Sequence, residues 1–248
     1  DTTDVAAMTS TQIKALSNTE LSGMTTAQVA SLTTDQIKSV TTAALAGLST
    51  AQVAGLTTSQ VAALGATQVQ AMETADVAVL SAAQAQALST GQVSALSTSQ
   101  VQAISTSGIS GLTTDAIKGL SNTQLQAITT ASVAAMTTTQ VGALGTAQVA
   151  ALTSAEAAAL TTSQVQALST AQVKALEVGD LAAMSTAQVA ALSTTQVGAL
   201  TTAQMSNLTT SQIAAMTTAQ VSVLNSAQVQ SLSTTQVAAL TTGQVAAL

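Results

Sequence analysis

The chain contains no cysteine, histidine, proline, tryptophan, tyrosine or phenylalanine, and only 6% of its residues are charged. Each absence excludes something. Without cysteine there is no disulfide framework and no thiol chemistry, and the redox compartment stays open. Without histidine as well, the commonest acid–base groups and transition-metal ligands are missing. Without aromatics no large side chain can anchor a core or stack on a base. The four cations are all lysines, scattered and outnumbered by ten acids, for a net charge of −6. Phosphate neutralisation needs clustered Lys and Arg, so a nucleic-acid partner is excluded. Long apolar runs are lacking too. Mean hydropathy is +0.46, yet Ser/Thr pairs interrupt the chain about every eight residues, where a spanning helix needs roughly 18 apolar residues in succession. No transmembrane segment and no leader peptide are expected. A start at Asp1 rather than Met fits a mature product and an excised fragment equally well.

What is present is one unit, repeated. Cut in eights from Asp1, the chain reads DTTDVAAM, TSTQIKAL, SNTELSGM and so on to STTQVAAL, TTGQVAAL, and thirty-one octads account for all 248 residues without an insertion. This predicts a single array over 1–248 with no linker or domain boundary. The consensus is S/T-T-A-Q-V-A-A-L. Position 8 is Leu, Met, Ile or Val throughout, and position 5 is equally apolar except at Ala85 and Ala157. Position 4 is Gln, Glu or Asp in 27 of 31 octads, and position 7 is small apart from Val79, Asn207 and Val223. A longer rhythm overlies this one. IKALSNTEL at Ile13–Leu21 returns as IKGLSNTQL at Ile117–Leu125, and Glu73 with Asp76 returns as Glu177 with Asp180, both 104 residues on. An ancestral duplication of thirteen octads would produce this.

The octad reads as a helix start. A Ser or Thr N-cap accepts from the backbone N–H of N3, and a Gln or Glu at N3 reaches back to the N-cap N–H, which makes a capping box. With position 1 as N-cap, position 4 is N3, and position 8 of the preceding octad pairs with position 5 as a hydrophobic staple. Charge placement agrees: all ten acids lie at positions 1–4 and Lys14, Lys38, Lys118 and Lys174 all lie at position 6, as a helix dipole favours. One continuous helix is excluded, because an eight-residue period slips about 80° per repeat against 3.6 residues per turn. The expectation is therefore an all-α solenoid of very short helices, one per octad, with positions 5 and 8 inward. Helices this short are unstable alone and must be stabilised by stacking. Two octads per coil, stacked at about 8–10 Å, would give a rod of about 120–160 Å. The alternative is a β-solenoid or amyloid-like stack, favoured by Thr, Val and a recurring Gln, and opposed by the Ala pair at positions 6 and 7 and by the lack of turn residues.

Candidate chemistry is confined to carboxylate pairs. Asp1/Asp4, Glu73/Asp76 and Glu177/Asp180 are each three apart and could bind a cation weakly; their positions also make them substitutes for the N-cap Ser/Thr and the N3 Gln. Ser and Thr have no base beside them to activate a hydroxyl, and capping accounts for their placement. The methionines fill positions 8 and 5 like Leu. No catalytic, cofactor-binding or metal-binding residue is assigned, no cofactor is expected, and the chain is read as non-enzymatic.

Runs such as LTTAQVAALSTTQVAAL resemble low-complexity tracts of very large bacterial secreted or surface proteins, often adhesin-like. The resemblance implies an extracellular or cell-surface location and a passive, length-giving role. LTTAQVAAL also resembles the opening of a TAL-effector repeat, but the second helix and base-reading loop of that family are absent, so DNA reading does not carry over. The expected function is a structural rod, stalk or filament that self-associates head to tail through uncapped repeat ends. The alternative is a repetitive surface of Thr, Ala and Gln that lies on ice, a polysaccharide or another flat lattice.

Overall fold

A computed structural model describes residues 1–248. Every octad forms one helix of four to six residues, from Thr2–Ala7 to Thr242–Val245, and no strand is present. The chain divides into two compact units, Asp1–Ile128 and Thr129–Leu248, and each repeats the same local design.

The octad 193–200 shows that design. Ser193 Oγ accepts from the Gln196 N–H at 3.1 Å, while Gln196 Oε1 accepts from the Ser193 N–H at 2.7 Å. The helix runs Thr194–Ala199 and stops at Leu200, which is extended at φ −58°, ψ 140°; the next N-cap, Thr201, is extended too at −73°, 159°. In this octad two extended residues at negative φ end the helix and aim the next. No residue takes a positive φ, so the stop needs none of the left-handed glycines that commonly close helices. The Leu200 N–H bonds the Val197 carbonyl at 3.1 Å, a tight last turn.

Packing follows the apolar positions. Position 5 lies at the centre: Val189, Val197, Met205 and Ile213 are 0–1% exposed. Position 8 closes the core beside it, with Leu192, Leu200 and Leu208 also buried. Each helix packs on the helix three octads away, as Ser10–Ala15 does on Thr34–Ser39 and Thr186–Ala191 on Thr210–Ala215. The glutamines reach one octad further. Gln196 Nε2 donates to the Val165 and Leu168 carbonyls at 2.9 and 2.6 Å, which belong to the octad four earlier. A coil therefore takes between three and four octads, a number the sequence left open, rather than the two assumed for the rod length. Two extended residues turn the chain by a quarter to a third of a circle rather than folding it back. A ring of three or four short helices also encloses positions 5 and 8 on all sides, which two antiparallel helices cannot do.

Position 7 sets how closely neighbouring coils approach. Asn18 lies against Gly47, the Ala82 main chain against Gly111, and Thr90 against Gly119, each so close that a Cβ on the glycine would overlap its neighbour. In all three cases position 7 of one octad meets position 2 of the octad three earlier.

Candidate functional site

The principal polar construction in each unit is the row of position-4 side chains. A six-residue helix leaves its last carbonyls without intrahelical partners, and these would be costly to bury unpaired. The glutamine amide satisfies them from the next coil. Gln52 Nε2 meets the Leu21, Ser22 and Met24 carbonyls at 3.2, 3.2 and 2.7 Å, and Gln212 meets those of Leu181, Ala182 and Met184 at 2.9, 3.3 and 2.7 Å. One side chain thus caps its own helix start with Oε1 and an earlier helix end with Nε2. Both side chains are buried.

Sequence reasoning found the first half of that role and missed the second. The missed signal was present: position 4 holds 22 glutamines against two glutamates and three aspartates. A capping box accepts Gln or Glu, so so strong a preference for the amide marks a need for a donor.

The three carboxylate pairs divide. Asp1 and Asp4 make an ordinary cap, with Asp1 Oδ1 accepting from the Thr3 and Asp4 N–H groups at 2.8 and 3.0 Å. Glu73 and Glu177 do occupy the N-cap, but their side chains make no cap bond. The expected substitution for Ser/Thr therefore fails at both. The longer side chain overshoots the N3 N–H, which turns instead to the N-cap carbonyl, 3.1 Å for Asp76 to Glu73 and for Asp180 to Glu177. Their partners Asp76 and Asp180 are 2% and 3% exposed. Burial pushes both carboxyls above the ordinary value of 3.8, with the neighbouring Glu73 or Glu177 charge acting in the same direction; the Glu73 N–H on Asp76, and the Ser154 hydroxyl and Glu177 N–H on Asp180, act against it. Glu20 shows the opposite: the backbone and hydroxyl bonds from Ser17 hold its exposed carboxyl below the usual 4.5.

No group of three or more acids is arranged to hold a metal ion. Lys38 lies 3.7 Å from Asp35 on the surface. A shallow groove of about 510 Å³ runs beside Lys38, Val40, Thr42, Gly65 and Gln68, where Gly65 puts no side chain at position 1. Its amide is already engaged, with Gln68 Oε1 on the Gly65 N–H at 2.7 Å and Nε2 on the Ile37 and Val40 carbonyls at 2.9 and 2.8 Å. No helix is long and apolar enough to cross a membrane.

The first and last coils expose different faces. Among the first octads position 4 is open, at Asp4, Gln12 and Glu20, while Val5, Ile13 and Leu21 are buried. Among the last octads the pattern reverses: Gln236 and Gln244 are buried, whereas Val237 and Val245 are 46% and 53% exposed. The position-4 face and the position-5 face are the two surfaces that meet between every pair of stacked coils within a unit.

Eight stretches, residues 5–42, 32–66, 69–106, 90–122, 122–154, 173–210, 206–234 and 213–248, match the family model described as the ALTTAQ repeat. Only 1–4, 67–68 and 155–172 lie outside them. No curated protein matches the chain.

Proposed function

Since the chain belongs to the ALTTAQ repeat family over most of its length, we propose that it is a non-enzymatic structural array, a length-giving rod, stalk or filament of the cell surface or extracellular matrix, which associates through its two end faces. A tandem array of one packing unit supports a structural role, because each coil offers the same contacts as the last. The observation that supports the self-association is the stacking contact itself, in which position-4 amides of one coil bond the position-5 and position-8 carbonyls of another. A position-4 face and a position-5 face left uncovered in any array of these octads are the two halves of an interface formed repeatedly inside each unit. A heterologous contact of this kind does not close on itself and propagates. The same contacts serve whether the next octad belongs to the same chain or to a second copy. The extracellular setting rests on the resemblance to secreted and surface tracts.

Sedimentation across a concentration series tests the association. The wild-type chain should grow in whole multiples of its mass, and Val237→Lys with Val245→Lys should hold it monomeric with an unchanged helical circular dichroism spectrum. A single monomeric species at every concentration would overturn the self-association.

A further inference from the structure

We propose that Asp180 is a proton-binding site built into the fold, which takes up a proton from solvent in the folded chain and makes its coil tighter in acid and looser as the pH rises. The neighbouring octads show what position 4 ordinarily supplies. On either side of this octad, Gln172 donates to the Val141, Gly142 and Leu144 carbonyls and Gln188 to those of Ala157, Ala158 and Leu160. The register assigns Val149, Ala150 and Leu152 to position 180. An aspartate there brings no N–H. Oδ1 accepts from the Ser154 hydroxyl at 2.8 Å, and Oδ2 is buried without any partner.

An ionised carboxylate in this place would keep a charge in a buried position with one oxygen unpartnered, which is costly. No cation compensates. Of the helices packed against Val178–Ala183, Ser154–Ala159 brings Glu156 and Thr202–Asn207 brings no titratable group, while the octad itself adds Glu177. All the facing charges are acidic. A proton on Oδ2 removes the charge and turns a buried orphan acceptor into a donor. The upward displacement of this carboxyl by burial runs in the same direction.

The sign of the linkage is fixed by that displacement. A carboxyl whose folded value is raised contributes stability that is complete below the unfolded value, 3.8, and is lost as pH rises through the folded one. Asp76 repeats the arrangement 104 residues earlier. It is buried, follows a glutamate N-cap that makes no side-chain bond, and is displaced upward. The helices packed on Thr74–Ala78, Thr50–Ala54 and Thr98–Ala103, bring no titratable group, so Glu73 is the charge beside it.

Carboxyl-carbon NMR of the full chain, labelled at its six aspartates, reads the protonation directly. Two resonances should titrate above the usual aspartate range, and one of them should vanish in Asp180→Asn. Thermal unfolding supplies the second readout. Asp180→Asn, which carries an N–H at every pH, should unfold about 2–4 °C above wild type at pH 7 and level with it at pH 4. The proposal is overturned if every aspartate titrates at or below its ordinary value, or if the variant's advantage is the same at both pH values. It is equally overturned if sodium or calcium ions raise the wild-type midpoint at pH 7 and leave that of Asp180→Asn unmoved, since a metal cation would then hold the place of the proton. The NMR titration of the wild type decides the matter even if the variant does not fold.

Discussion

The two compact units stack their coils by the same rule, yet they keep it with different strictness. From residue 161 onward the second unit carries glutamine at position 4 in ten octads of eleven, and every one of those amides donates to an earlier coil. Between residues 33 and 128 of the first unit four octads of twelve depart, at Ala44, Asp76, Gly108 and Ala116. Three of the four make a second change in the same octad. Ala44 comes with Gly47, Gly108 with Gly111 and Ala116 with Gly119, and these are the glycines on which a neighbour lies too close for a Cβ. Where the long amide is lost, the octad settles closer to the helix three octads before it. Two solutions to the same stacking problem coexist: a bridge of hydrogen bonds, and direct backbone approach.

The largest expected effect comes from spoiling the bridge. Gln196→Glu keeps the shape and the acceptor for the Ser193 N–H, but turns the Nε2 donor into a charged oxygen facing the Val165 and Leu168 carbonyls. Leaving a buried charge uncompensated should cost about 3–4 kcal/mol at pH 7. Protonation restores a donor, so most of the loss should disappear in acid, which urea unfolding at pH 7 and pH 4 would measure. A loss that did not depend on pH would mean the amide acts by its shape alone.

The second test addresses the alternative solution. Gly111→Ala puts a Cβ into the Ala82 main chain. Overpacking costs about 1–3 kcal/mol, against about 1 kcal/mol gained from helix propensity, so a net loss of about 1–2 kcal/mol is expected. Gly55→Ala is the control. It also lies at position 7, but its octad retains Gln52, and the new Cβ would meet nothing nearer than the Ala51 carbonyl oxygen of its own helix at 3.3 Å, with Thr26 Cβ of the facing helix at an ordinary 3.6 Å. Hydrogen exchange in the first unit should separate them, with protection falling in the first variant and holding in the second.

Most of the architecture was legible in the sequence because its determinants are local. The Ser/Thr N-cap, the N3 glutamine and the staple all act within one octad, so period and register could be read from residues such as Thr57, Gln60 and Val61. The number of octads per coil was not legible. It depends on how two extended residues, Leu64 and Gly65 for example, aim successive helices, and no residue type there announces an angle. The pairing of Gly111 with Gly108 was visible as letters, but it acquires meaning only when Ala82 is found beside it. Of the candidate carboxylates, position was legible and environment was not: Asp4 and Asp180 occupy the same place in the octad, one exposed and one buried.

The smallest expected effect concerns the one octad without glutamine among the eleven from residue 161 onward. Glu177 offers its helix no side-chain cap and places a charge beside Asp180. Glu177→Ser should therefore stabilise the unit in two ways, by about 0.5–1 kcal/mol from the restored cap and by a smaller electrostatic gain. The two separate by pH. A cap hydrogen bond from a neutral hydroxyl is indifferent to protonation, whereas the electrostatic part exists only while both carboxyls are ionised. Glu177→Ala removes the charge without adding a cap. Serine should exceed alanine by the same margin at pH 4 and pH 7, while the advantage of alanine over wild type should shrink in acid. If serine and alanine were equal at both pH values, the missing side-chain cap would carry no cost in this octad, and the backbone bond from the Asp180 N–H to the Glu177 carbonyl would be sufficient for its helix start.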